Sequence, residues 1–226
     1  MTKNEIIAMM KQTEKTVVKI NLVDAPVNRV GSKVGGTPYW PSNLSYPENM
    51  IFLAQINFEE VPRTDLLPKK GILQFFVEGE NAIGLFSNKD GYKVIYHEEI
   101  EEPVDVPLIE TECSPIMKPA KMLFEKKMEM ISYQDYRFPE EHADEIDDLI
   151  DCSDYDGSGS KLLGYPCFTQ YDPREAKPTY DILLFQLDSD NKFVMWGDYG
   201  VGNFFINKEK LKEKDFSDVL YNWDCY

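Results

Sequence analysis

Three glutamines and an asparagine sit among aliphatic and aromatic neighbours: Gln55 in Met50–Asn57, Gln186 in Asp181–Asp188, Gln74 in Gly71–Val77 and Asn203 in Gly200–Ile206. A primary amide offers two N–H donors and a carbonyl acceptor, which suits it to orienting a small polar ligand. Left buried and unpartnered, an amide costs about 1–3 kcal/mol, so each of these needs a partner. Two readings follow. In one, Gln55 and Gln186 are satisfied by backbone or by Gln74 and Asn203 on neighbouring strands. In the other, the amides line a ligand cleft. A further polar set, Gln170, Asp172 and Arg174, joins Trp196 and Asp198 in the second reading as the rim of a small-ligand site. In the first reading Asp198, set between Gly197 and Gly200, is a turn residue beside a core tryptophan.

Other chemistries find less to build on. Cys113, Cys152, Cys167 and Cys225 form no Cys-x-x-Cys pair, and His97 and His142 are the only histidines, so neither a zinc site nor a Cys–His nucleophile has a sequence context. Asp154-x-Asp156-Gly157 echoes a calcium loop, but its first position is Cys152 and its twelfth Leu163, where the loop needs carboxylates. The stretch Lys33–Gly36 is not Gly-x-x-x-x-Gly-Lys-Ser/Thr. It reads as a tight turn that lets Trp40 fold over the core. No Gly-x-Ser-x-Gly elbow occurs. No catalytic residue, cofactor or metal is assigned.

The elements that must carry these groups show an ordered recurrence. Gly36-Thr37-Pro38, the Gln55 strand and Gly71–Val77 recur in order as Gly164-Tyr165-Pro166, the Gln186 strand and Gly200–Ile206. Pro38 lies 17 residues before Gln55 and Pro166 lies 20 before Gln186. The ordered matches predict two related halves, about 1–89 and 160–226. Strict alternation puts Phe52, Ala54, Ile56 and Phe58 on one face of the first Gln strand and Ile51, Leu53, Gln55 and Asn57 on the other. Both Gln strands are apolar on both faces, as central strands are. Thr2-x-x-Glu5 is a capping box and predicts a helix from Lys3 to about Lys15. Strands are predicted at Thr16–Val23, Gly91–His97, Lys121–Met130 and Lys192–Trp196, and helices at Pro139–Asp151 and Lys208–Lys214. The aromatic end, Val219–Tyr226, is expected to be packed. The fold expected is α+β, a β-rich single domain over 1–226, with the two halves sharing one core and a few peripheral helices.

Lys and Arg total 24 against 40 Asp and Glu, a net charge of −16. Such a surface disfavours nucleic acid and anionic membrane and leaves a basic protein as the partner it could steer. The densest acid lies in Asp135–Asp156, which is a solvated helix face or the surface that meets such a partner. Scattered cysteines and the absence of a basic-then-apolar leader point to the cytoplasm. Oligomeric state, ligand and partner identity stay open.

The motifs Ser32-Lys33-x-Gly35-Gly36-x-Pro38, Leu53-Ala54-Gln55-Ile56, Gly71-Ile72-Leu73-Gln74-Phe75-Phe76, Gly164-Tyr165-Pro166, Leu184-x-Gln186-x-Asp188 and Trp196-Gly197-Asp198-x-Gly200 together resemble the bacterial YwqG-like family over nearly the whole chain. The resemblance implies a domain of unknown function, with no catalytic residue to carry over. Members that accompany secreted-toxin loci suggest an immunity- or antitoxin-like role. Two functions therefore stand: a non-catalytic acidic module that binds protein, or a small-molecule binder or hydrolase with its site between the halves.

Overall fold

A computed structural model describes residues 1–47, 49–78, 91–109 and 111–226. Helix α1 (Lys3–Gln12) opens on the expected capping box, with the Glu5 carboxylate accepting from Thr2 N at 2.7 Å. It stops at Thr13, short of Lys15, because Lys15–Val23 already forms strand β1. The remaining strands are β2 (Lys33–Val34), β3 (Met50–Asn57), β4 (Ile72–Glu78), β5 (Tyr92–His97), β6 (Ala120–Glu129), β7 (Lys161–Leu163), β8 (Ile182–Asp188), β9 (Val201–Ile206) and β10 (Val219–Asp224). Helices α2 (Ala143–Asp147) and α3 (Lys208–Glu213) are short.

All ten strands form one antiparallel sheet in the order β10-β9-β8-β7-β1-β6-β2-β3-β4-β5. This order corrects the expected α+β globule of two related halves. Strand β1, from the start of the chain, lies against β7, while β6, from the intervening stretch, lies between β1 and β2. The intervening strands are thus the middle of the sheet and not a cover upon it. The helices are too short to form a layer. The boundary expected near residue 89 lies outside the described residues.

The sheet curls until its wings meet, making a nearly closed, barrel-like wall. Phe75 of β4 packs against Phe185 of β8 and Phe204 of β9, each with ring centroids 4.7 Å away. At the seam the Tyr92 hydroxyl of β5 donates to the Val219 carbonyl of β10, and the Tyr92 and Tyr221 rings lie 5.3 Å apart. The interior is filled by aliphatic and aromatic side chains from both wings.

Strict alternation fails in both Gln strands at one place. The β3–β4 register shifts between Phe52 and Ala54, and the β8–β9 register between Leu183 and Phe185. A bulge adds one residue and flips the faces beyond it. Ile51, Leu53, Ala54 and Ile56 therefore all join the interior, whereas Phe52 packs with Trp40, Met50 and Phe76 on the opposite face. The expected strand Lys192–Trp196 is instead a turn. Asp190 Oδ1 accepts from the N–H groups of Lys192, Phe193 and Val194, and only Val194 bridges, to Ile116. Lys121–Met130 is a strand, one residue earlier than expected, and the chain end is β10.

Phe75 is fully buried where the wings touch. Phe75→Ala is expected to lower unfolding stability by about 3–5 kcal/mol. Urea titration followed by tryptophan fluorescence measures it, and a loss under about 1 kcal/mol would mean that the wings do not pack there.

Candidate functional site

The bulges decide where the amides go. Gln55 lies opposite Gln74 across the β3–β4 ladder, and both are fully buried on the face away from the main core. Gln55 Nε2 donates to the carbonyls of Arg29 (2.7 Å) and Gly31 (2.9 Å), and its Oε1 accepts from Tyr39 N at 2.8 Å. Gln74 Nε2 donates to Tyr39 O (2.6 Å) and Gln55 Oε1 (3.2 Å). Its Oε1 accepts from His97 Nε2 at 2.8 Å, so the proton sits on that nitrogen. Burial pushes His97 down to about 4, so it is neutral at physiological pH. These amides fasten the loop 29–39 to the sheet.

Gln186 does the same for the loop 157–167. Its Nε2 donates to the carbonyls of Gly157 (2.9 Å) and Gly159 (2.8 Å), and its Oε1 accepts from Cys167 N at 2.8 Å. Asn203, opposite Gln186, donates to Cys167 O at 2.9 Å. The backbone agrees as well: φ is +57° and +69° at Gly35 and Gly36, and +61° and +76° at Leu163 and Gly164. A serine precedes each lysine, Ser32 accepting from Asn57 N at 2.9 Å and Ser160 from Asp188 N at 3.0 Å. Gln55 and Gln186 each serve their own loop; they do not meet across the interior.

Within each loop a lysine is set opposite its glutamine, Lys33 against Gln55 and Lys161 against Gln186. The two lysines are treated differently. Lys161 is fully buried, and its ammonium donates to Glu129 Oε1 at 2.7 Å, an oxygen that also accepts from Lys19 at 2.8 Å. Glu129 Oε2 accepts from Tyr165 N at 2.8 Å. Burial opposes ionisation of Glu129, but the charges of Lys161 and Lys19 outweigh it and hold the carboxyl below its ordinary range. Lys33, 4% exposed, donates among the described residues to the carbonyls of Asn28 (2.8 Å) and Arg29 (3.2 Å). It borders a cavity of about 430 Å³ lined by Ala25–Arg29, Lys33, Gly35–Thr37, Pro119 and Ala120. Sequence reasoning missed Lys161 and Glu129, and it took Lys33–Gly36 for a turn. The turn is there, and Trp40 is buried behind it, but the lysine also faces a pocket.

Asp172 and Arg174 do come together. Arg174 is 1% exposed and donates to both Asp172 oxygens and, from Nη2, to Asp135 Oδ2 at 2.7 Å. Arg137 clasps Asp135 from the other side at 2.7 and 2.6 Å. Trp196, Asp198 and Gln170 do not join them. Trp196 is buried against Tyr221 and Trp223, and a side chain on Gly202 would lie 2.5 Å from its ring. Asp198 O accepts from Tyr226 N, and Gln170 Nε2 donates to Cys225 O at 3.1 Å, so both border the C-terminal turn.

The acidic tract divides. Asp135 is buried in the ion cluster, whereas Glu140, Glu141, Asp144, Glu145, Asp147, Asp148, Asp151 and Asp154 are exposed. Ile146 and Phe138 anchor this segment against Ile6 and Met10 of α1.

Burial raises the Asp135 carboxyl, but the Arg137 hydrogen bonds and the Arg174 charge outweigh it and bring it to about 2. The folded value lies below the unfolded value of about 3.9. Asp135 therefore contributes stability above about pH 4 that is lost as pH falls towards 2. Asp135→Asn is expected to cost about 3 kcal/mol at neutral pH and to flatten that acid limb. Denaturant unfolding at pH 7 and across the acid range measures both, and an unchanged slope would rule out Asp135 as its source.

No helix among the described residues is long and apolar enough to cross a membrane. A comparison with curated proteins finds no match. The family described as a domain of unknown function, DUF1963, matches residues 32–225, from the serine that precedes Lys33 to the strand that ends the sheet. The chain belongs to that family.

Proposed function

We propose that this YwqG-like protein is a non-catalytic cytoplasmic binding module, a single domain whose acidic face receives a basic protein partner. The observation that carries the reading is the fixed display of carboxylates between Glu140 and Asp154, a stretch with no lysine or arginine. A charged tail would pay ordering entropy on binding. Here the buried side chain of Ile146 and the Tyr155–Asp147 hydrogen bond hold the segment in place beforehand. The net charge of −16 adds long-range attraction for a cation-rich surface. An immunity- or antitoxin-like role, sequestering a basic toxin, is the form of this reading that the family resemblance favours. Four cysteines that remain free thiols support a reducing compartment.

A second reading, a small-molecule binder, is favoured by the cavity beside Lys33. The site it would use lies beside the loop 29–39 and not between the Gln55 and Gln186 strands.

Affinity capture from cells of the source organism tests the first reading. The expected result is a basic protein retained at low ionic strength and released as salt shortens the Debye length from about 30 Å towards 8 Å. A variant carrying Glu140→Gln, Glu141→Gln, Asp144→Asn and Glu145→Asn, with unchanged thermal stability, should lose that retention. Equal retention by the variant would remove the acidic face from the interaction.

A further inference from the structure

Two loops make the same hydrogen bonds to the same sheet positions, yet among the described residues only Lys161, of the two loop lysines, has its ammonium in an ion pair, with Glu129 of β6. At Lys161 a carboxylate bridges three donors: the Lys161 and Lys19 ammonium groups on Oε1 and the Tyr165 N–H on Oε2. Each donor has a counterpart at Lys33. Lys121 lies opposite Lys33 in the sheet as Lys19 lies opposite Lys161. Thr37 follows Lys33 at the spacing by which Tyr165 follows Lys161, after the same pair of left-handed residues and before a proline. The Lys33 ammonium uses two of its three N–H groups on carbonyls. Lys33 and Lys121 make no ion pair with any described carboxylate, and Thr37 N donates to no described acceptor. In place of an acidic side chain the wall beside Lys33 offers Ala25, Pro26 and Val27, around a cavity of about 430 Å³.

We infer that this cavity binds a small carboxylate-bearing molecule, whose carboxylate takes from Lys33 and the Thr37 N–H, both in the cavity lining, the bonds that Glu129 takes from Lys161 and Tyr165, with the charge of Lys121 adding attraction from the neighbouring strand. The body of the ligand lies against Pro26, Val27 and Pro119. Two lysines opposite each other in the sheet, in a chain of net charge −16, are set to attract an anion locally against an adverse overall field. The nearby Glu60 carboxylate acts on Lys33 through its charge but accepts from Ser32 N at 2.8 Å and makes no ion pair with the lysine. Burial, then the nearby Arg29 charge, pulls Lys33 down to about 8 against the opposing charge of Glu60, and a bound carboxylate would act in the same direction as Glu60. This inference does not depend on the acidic face: the two surfaces involve different residues, and failure of one leaves the other standing.

The test uses the full chain, isotope-labelled for amide NMR. It is titrated with acetate, succinate, glutamate and benzoate, with the matching neutral amides, and with inorganic phosphate. The expected result is a saturable shift of the Thr37 amide by at least one carboxylate and by none of the neutral amides. Lys33→Met should weaken that binding about tenfold to a hundredfold and Lys121→Met by a smaller factor, while the Tyr165 amide stays unmoved. Should Lys33→Met fail to fold, the half-exposed Lys121 and the Thr37 shift in the unaltered protein still decide the matter. No saturable Thr37 shift by any carboxylate at about 10 mM would overturn the inference. So would binding that both substitutions leave intact, or a response to phosphate alone.

Discussion

A primary amide buried in an apolar strand cannot be ignored by the chain around it. Gln55 and Gln186 each reach two carbonyls and one N–H of a loop that precedes them by about twenty residues. Loops without regular structure carry backbone groups of their own that need partners. The glutamine meets both needs at once, and long loops become a fixed covering of the sheet. Once the loops are fixed, so are the lysines within them and the Gly-x-Pro turns that follow. The pocket walls, the ion pairs and the burial of Trp40 all descend from that fastening.

Charge is then distributed over a frame that the amides have set. Where Glu129 lies near, three donors share one carboxylate and the cluster is internally neutralised. Gly164 makes this possible, since a Cβ there would come within 2.2 Å of Glu129 Oε2. Asp135 and Asp172 similarly absorb Arg174, a guanidinium that could not lie unpaired at 1% exposure. The remaining acid is on the surface, held there by a short helix whose single buried side chain is Ile146.

Much of this was readable from residue order and some of it was not. The register opposition of Gln55 with Gln74 and of Gln186 with Asn203 follows from two-sided apolar strands close in sequence, and the structure has it, but only Gln74 also bonds the glutamine opposite it; Gln186 is satisfied by backbone. The faces did not follow, because a bulge leaves no mark in composition: Leu53 and Leu184 look like any other strand leucine. Nor did the sheet order, since the pairing of β1 with β7 joins segments more than a hundred residues apart through backbone bonds that no side chain announces. Glu129 closes a strand studded with Lys126, Lys127 and Glu125, and nothing in that pattern separates the one buried acid from its exposed neighbours. Lys192–Trp196 read as a strand because its apolar residues are real. Asp190, just before it, captured the N–H groups that a partner strand would have used.

The seam between β5 and β10 has one more implication. Among the described residues these strands are joined by a phenol and ring contacts, with no ladder between them. They are the two ends of the strand order, whereas every other strand has neighbours on both sides. The wall therefore has a natural hinge line, held by the Tyr92 hydroxyl, ring contacts and the Lys214–Glu98 ion pair, along which it can gape while the ladder itself stays whole. Slow breathing of the protein, and any strand from outside that adds to it, should begin there.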